Sequence, residues 1–378
     1  MAKRKPARSA PTTPAAGTPL LRLPLLVLGI ASLLAGLWAG LLRLPAPWPL
    51  AVPAPRADWV LLHGPLMVSA FLGTVIGLER AVGLRRRWAY AGPVLTGLGG
   101  LVLIAGLPGG GEIVWGAALA TAGSAVLVGV FAVVVARQPA DFTATMGLGA
   151  LAWLMGNALW LAGLPIADVV PWWMAFLVLT IAGERLELTR LQPPSRLGRA
   201  LFRGAAALLV VGLLLHPGRP GLSWRLVGLA FVGLAAWLLR YDIARRTVRQ
   251  QGLTRFMAVC LLGGYAWLAV AGLSLLVVPP HGPSLPYDAA LHALFLGFVF
   301  VMIFAHAPVI FPAVLRQPMA YTPGFYAHLA LLHVSLLLRV GGDWAGWWPG
   351  RQWGGTLAVL AILLFLANTV LALRAARR

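Results

Sequence analysis

A chain of 378 residues that is 60% hydrophobic and only 11% charged, with apolar runs of about twenty residues recurring along it, is not a soluble globular protein; it reads as an all-α polytopic membrane bundle. The formal net charge of +20 would suggest nucleic acid for a soluble chain. Here Lys and Arg gather in alternate loops, so nucleic acid is excluded as a partner and the lipid bilayer takes its place. The single cysteine, Cys260, excludes an intrachain disulfide, a CxxCH haem attachment and a thiolate cluster, and reads as a small buried hydrophobe.

Residues 1–19 (MAKRKPARSAPTTPAAGTP) are basic and rich in Pro, Ala and Thr, bury no core and are expected to form a disordered tail. Residues 20–378 are expected to form one transmembrane domain. Hydropathy predicts twelve spans, at about 20–43, 57–79, 88–107, 113–136, 142–163, 168–190, 198–216, 222–241, 255–279, 287–315, 322–339 and 354–374. The first is too long for the core of a signal peptide. Basic clusters around Arg4, Arg86, Arg196, Arg245 and Arg377 fall on one side of this arrangement, which places both termini in the cytoplasm. The glycines of GLGALAWLMGNALWLAG, in the fifth span, predict close helix packing. Pro65 in the second span and Pro308 and Pro312 in the tenth should bend their helices.

Polar side chains at membrane depth carry the chemistry, because a bilayer makes each one costly unless it is paired or lines a cavity. His63 lies about six residues inside the outer end of the second span, and His292 about five residues inside the tenth, so both sit roughly 9 Å deep. Two imidazoles at equal depth on separate helices satisfy one requirement for gripping a haem iron from both faces. The alternative is that each bonds a carbonyl across a helix interface. Met67, four residues after His63, shares its face and serves as an axial ligand, a contact to a macrocycle or filler.

His306 and His333 are nearly equidistant from the turn joining the tenth and eleventh spans and could meet across that hairpin, with His328 nearby. Such a cluster suits copper, iron or zinc. His216 and His281 read as solvated loop residues. Glu79, Arg80, Glu184, Arg185 and Glu187 close the second and sixth spans and either pair in a structural network or admit protons. Arg43, Arg56 and Arg225 lie on the outer side, where they could meet haem propionates. No Walker loop, HExxH or nucleophile elbow is present, which points away from ATPases and hydrolases and leaves a gas, a quinone, an electron or a small solute as substrate. No catalytic residue is assigned, and whether the protein is an enzyme stays open.

Three segments resemble the NnrS-like family of bacterial membrane proteins: His63-Gly-Pro-Leu-Met67 with Phe71 in the second span; His292, Gly297 and Met302 in the tenth; and Gly183, Arg185 and Thr189 in GERLELT at the end of the sixth. The chain departs from that pattern at Pro65, where a second histidine is common. The resemblance implies twelve spans in the bacterial inner membrane and a non-covalent b-type haem on His63 and His292, with Arg185 among the cofactor-binding residues. It further implies copper as a second metal, a quinone or other electron-transfer partner, and a role in sensing, scavenging or detoxifying nitric oxide or a related small oxidant. HGPLM also looks faintly like the haem-ligating helix of haem-copper oxidases, but the sixth and seventh spans lack the histidines of their copper site. GLERAVGLRRR loosely resembles the loop motif of major-facilitator transporters, which makes a twelve-span transporter of a small solute the alternative.

Overall fold

The computed structural model describes residues 21–44, 52–191, 193–277 and 284–377. Among these residues it is all-helical, with twelve helices long and apolar enough to cross a membrane. They are α1 (Arg22–Leu41), α2 (His63–Leu84), α3 (Arg87–Ala105), α4 (Glu112–Arg137), α5 (Asp141–Leu161), α6 (Ile166–Leu188), α7 (Arg196–Leu215), α8 (Pro220–Tyr241), α9 (Gly252–Val277), α10 (Leu285–Leu315), α11 (Phe325–Ala345) and α12 (Trp348–Ala375). The expected tail and His281 lie outside the described residues.

Local chemistry sets the helix ends. Ser195 and Ser284 cap α7 and α10 by accepting from the backbone N–H of Gly198 and Tyr287, and Pro220 occupies the first position of α8, where a missing N–H costs nothing. Pro65 likewise falls in the first turn of α2. Helicity there begins at His63, later than hydropathy predicts, because residues Ala57–Leu61 form a separate 3-10 turn. At the far side of the chain the prediction errs the other way: α11 runs on past Arg339 to Ala345, and α12 starts at Trp348 rather than near residue 354.

Successive helices pack on one another, and α10 reaches α1, α2, α6, α9, α11 and α12. It forms the inner wall of the bundle together with α2 and α6, the three most enclosed spans. Small residues allow the close approaches. A Cβ on Gly149 of α5 would lie 3.0 Å from the Phe176 carbonyl, and one on Gly228 of α8 would lie 2.6 Å from the Gly272 carbonyl of α9.

α2 and α10 are built alike. Each carries its histidine just before a π-helical stretch, Leu66–Leu72 in one and Ala293–Phe300 in the other. Each ends on an arginine in the left-handed conformation, Arg85 and Arg316, the two non-glycine residues with positive φ among those described. Each has a phenylalanine eight residues after the histidine, and these rings, Phe71 and Phe300, stack with centroids 5.9 Å apart at 29°. π-helical turns are rare and frequent at functional sites.

Candidate functional site

The stacked Phe71 and Phe300 fix the register of α2 against α10. Each histidine lies eight residues before its ring in the stack, and the imidazoles are near enough for His292 to act electrostatically on His63. His63 and Arg43 act electrostatically on one another, and the charges of Arg43 and Arg339 reach both imidazoles, which makes one electrostatic neighbourhood of the pair.

Hydrogen bonding determines which ring nitrogen is available. His63 Nδ1 lies 2.8 Å from the Gly36 carbonyl of α1, and His292 Nδ1 lies 2.8 Å from the Asp288 carbonyl one turn earlier. A carbonyl only accepts, so each neutral ring carries its proton on Nδ1 and presents an unprotonated Nε2 lone pair. Neither Nε2 makes a hydrogen bond among the described residues, and neither is sealed in by packing: His292 keeps 23% of its side-chain surface open although it sits deep in the bundle. The glycines of α1 make room. A Cβ on Gly40 would lie 2.9 Å from His63 Nδ1, and one on Gly36 would lie 2.7 Å from Met67 Sδ, so Met67 packs against α1.

Beside His292 lies a charge cluster that sequence reasoning missed. Asp288 sits 3.5 Å from His292 Nδ1 and receives two bonds from Arg339, at 2.6 and 3.1 Å, with Arg351 3.4 Å away. Asp343, 2% exposed, pairs with Arg351 and approaches Arg339 at 3.7 Å. The signal was present: Asp288 and His292, and Arg339 and Asp343, are each four apart inside apolar helices, where unpaired charge is expensive.

The other histidines have different surroundings. His306 Nδ1 bonds the Met302 carbonyl at 2.7 Å, which leaves its Nε2 unprotonated as in His63 and His292. His333 Nδ1 accepts from Trp267 Nε1 at 2.9 Å, and His328 Nδ1 from Asn368 at 3.1 Å, so both neutral rings carry the proton on Nε2. His328 is boxed by Phe256, Phe304, Phe325 and Phe365, and its Nε2 has no partner. Among the described residues no three His, Cys, Asp or Glu side chains converge as a metal site.

His216 is not the solvated loop residue that its position suggests. It is 6% exposed, its Nδ1 lies 3.1 Å from Ser223 Oγ, and its Nε2 lies 3.6 Å from Asp168. Burial pushes its pKa below the usual imidazole value, against the opposing pull of Asp168.

At the opposite end of the bundle the expected charge network is present, with changed partners. Arg80 pairs with Glu184 and lies 3.9 Å from Glu79, and Glu187 lies 3.7 Å from Arg190. Arg185 instead forms a bidentate pair with Asp242, at 2.7 and 3.0 Å, both side chains almost wholly buried. That pairing occupies the guanidinium away from His63 and His292. Arg56 is occupied too: it bonds Asp58 and the carbonyls of Leu103 and Ile104, and the hydrogen bonds to Arg56 hold the Asp58 carboxyl below its usual range. Arg225 is exposed on α8.

These features define a class: a bundle with twelve helices long and apolar enough to cross a membrane, in which two similarly built central helices each offer an unprotonated imidazole nitrogen. The chain belongs to the family described as "Domain of unknown function (DUF8744)", whose model matches residues 22–374. Comparison with curated proteins and with solved structures finds no match.

Proposed function

We propose that this chain is a haem-binding protein of the bacterial inner membrane, with His63 and His292 as the two axial imidazoles of a non-covalent b-type haem. The observation that carries the proposal is the paired tautomer: on each of two in-register helices a carbonyl holds the Nδ1 proton and leaves Nε2 as a free donor. Metal-bound histidines are oriented in this way, the second nitrogen fixing ring rotation and raising basicity. Arg43, whose charge reaches both imidazoles, is a cation that a propionate carboxylate could meet.

When bound, a haem supplies one-electron redox and gas-binding chemistry. The chain's own residues do the rest. Gly36 O orients His63, the absence of a side chain at Gly40 leaves the ring its space, and the Asp288 carbonyl orients His292. The carboxylates of half-buried Asp288 and buried Asp343, neutralised by Arg339 and Arg351, keep the local field from being dominated by one sign. A role in sensing, scavenging or detoxifying nitric oxide or a related small oxidant, with a quinone or other electron donor, rests on the family resemblance. So does a copper ion, for which His306 offers a further unprotonated Nε2.

The test is purification of the full chain in detergent from haem-replete cells, with pyridine haemochrome quantification. Stoichiometric haem and a Soret band are expected, with loss of most haem in His63→Ala and in His292→Ala while elution volume and helicity are retained. A folded, colourless wild-type protein would defeat the proposal and favour the transporter alternative.

A further inference from the structure

A cleft of about 680 Å³ opens at the end of the bundle opposite His63 and His292, between the end of α6, the loop before α7 and the end of α8. Its walls include Arg240 at the end of α8 and Arg245, Arg246 and Arg249 on the segment that leads from α8 to α9. Tyr241 and the Pro193-Pro194 pair complete the lining. The volume falls in the range of sites for small ligands, roughly 300–1,000 Å³.

The charge balance of this cleft is one-sided. One carboxylate, Asp242, contributes to the lining, and its two oxygens are taken by Arg185 and by the backbone N–H of Ala244, with the side chain 1% exposed. It therefore does not neutralise the arginines in front of it. Among the described residues neither Arg240, Arg245 nor Arg249 forms an ion pair. Arg245 donates to the Arg240 carbonyl, Arg240 lies over the Tyr241 ring at 5.4 Å, and all three are exposed. The nearer carboxylates are already engaged: Glu187 with Arg190 and Glu184 with Arg80.

A single carboxylate ligand would satisfy one guanidinium fork. Several forks converging on one hollow match a group with three acceptor oxygens and more than one negative charge, and planar guanidinium binds phosphate bidentately. The position at the ends of membrane-crossing helices is also the depth of lipid headgroups, where basic pockets between helices hold anionic ones. We infer that this cleft is a binding site for a phosphate-bearing anion, supplied by a lipid headgroup or by a soluble phosphate compound. It is separate from the histidine pair and does not depend on haem.

Two arms separate the sources, both on the full chain. Native mass spectrometry of protein taken from mixed phosphatidylcholine and phosphatidylglycerol nanodiscs reports which lipid stays bound. Calorimetric titration with inorganic pyrophosphate in phosphatidylcholine nanodiscs reports a soluble ligand. Retention of phosphatidylglycerol, saturable pyrophosphate binding, or both, lost about tenfold in Arg245→Gln/Arg249→Gln and unchanged in Arg203→Gln, which alters an arginine paired with Asp141 at the same end, supports the site. Should the double variant fail to fold, the exposed Arg249→Gln alone is expected to lose at least threefold. Equal binding by wild type and variants, or no binding of either probe by wild type, overturns the inference.

Discussion

Removing one member of the Arg185–Asp242 pair should be among the most destabilising single changes in the molecule outside the packed core. The side chains are 4% and 1% exposed and meet through two hydrogen bonds, so either partner left alone is a buried, uncompensated charge. Such a loss costs about 3–5 kcal/mol, whereas replacing both partners by neutral groups of similar size is often close to neutral. Arg185→Leu leaves Asp242 only the Ala244 N–H; Asp242→Asn keeps that bond through its carbonyl oxygen but strands the guanidinium. In a double-mutant cycle read by thermal unfolding in detergent, each single variant should lose several degrees, and the double variant should regain at least about half of the combined loss. Haem content of the folded fraction should stay at the wild-type level in all three, because the guanidinium belongs to Asp242 and not to the histidine pair. Additive losses would refute the coupling. A selective loss of haem in Arg185→Leu would place that arginine in the cofactor site after all.

Other consequences follow from the same geometry. Gly40→Val puts at least one carbon within 2.9 Å of the His63 ring, so haem loading should fall while Gly83→Val, at a glycine with open space around it, leaves loading unchanged. Asn157→Leu strands the Trp173 indole N–H and the Ser69 hydroxyl, both buried partners of the Asn157 carbonyl oxygen, and should cost about 1–3 kcal/mol in a thermal-shift assay. For His216, burial lowers the folded-state pKa, so the unfolded chain takes up its proton first, near pH 6.5; stability is full above that pH and declines as the pH falls. His216→Gln should flatten the pH dependence of unfolding between about pH 7.5 and 5. An unchanged slope would remove this histidine from the account.

Much of the architecture is legible in the sequence because hydropathy reports span number directly and the bilayer fixes span length. The errors fall where charges neutralise one another. Arg339, Asp343 and Arg351 lower local hydropathy and make α11 seem to stop early and α12 to start late, yet the pairing of the two arginines with Asp288 and Asp343 lets both helices continue. The same effect hides Asp242, read as loop just past α8, as the partner of Arg185. The expectation that His63 and His292 lie at similar depth comes from position alone. Their tautomers are not legible in that way, since these depend on Gly36, distant in sequence, and on the local carbonyl of Asp288. Nor does helical phase carry from His292 to His306, because the π-helical stretch Ala293–Phe300 winds more slowly than the 100° per residue of an α-helix. His216 illustrates the reverse error: a loop position near Pro and Gly reads as solvated, while Ser223 and Trp224 of the next helix fold back over it.

The central claim is that one imidazole from each of α2 and α10 faces the same iron. Low-temperature electron paramagnetic resonance of the oxidised, full-length protein tests it most directly. The expected spectrum is low-spin with bis-imidazole g values in the wild type, and any haem that remains after substituting His63 or His292 by alanine is expected to be high-spin. A wild-type spectrum that is high-spin, or a low-spin signal that survives either substitution, would contradict the pairing.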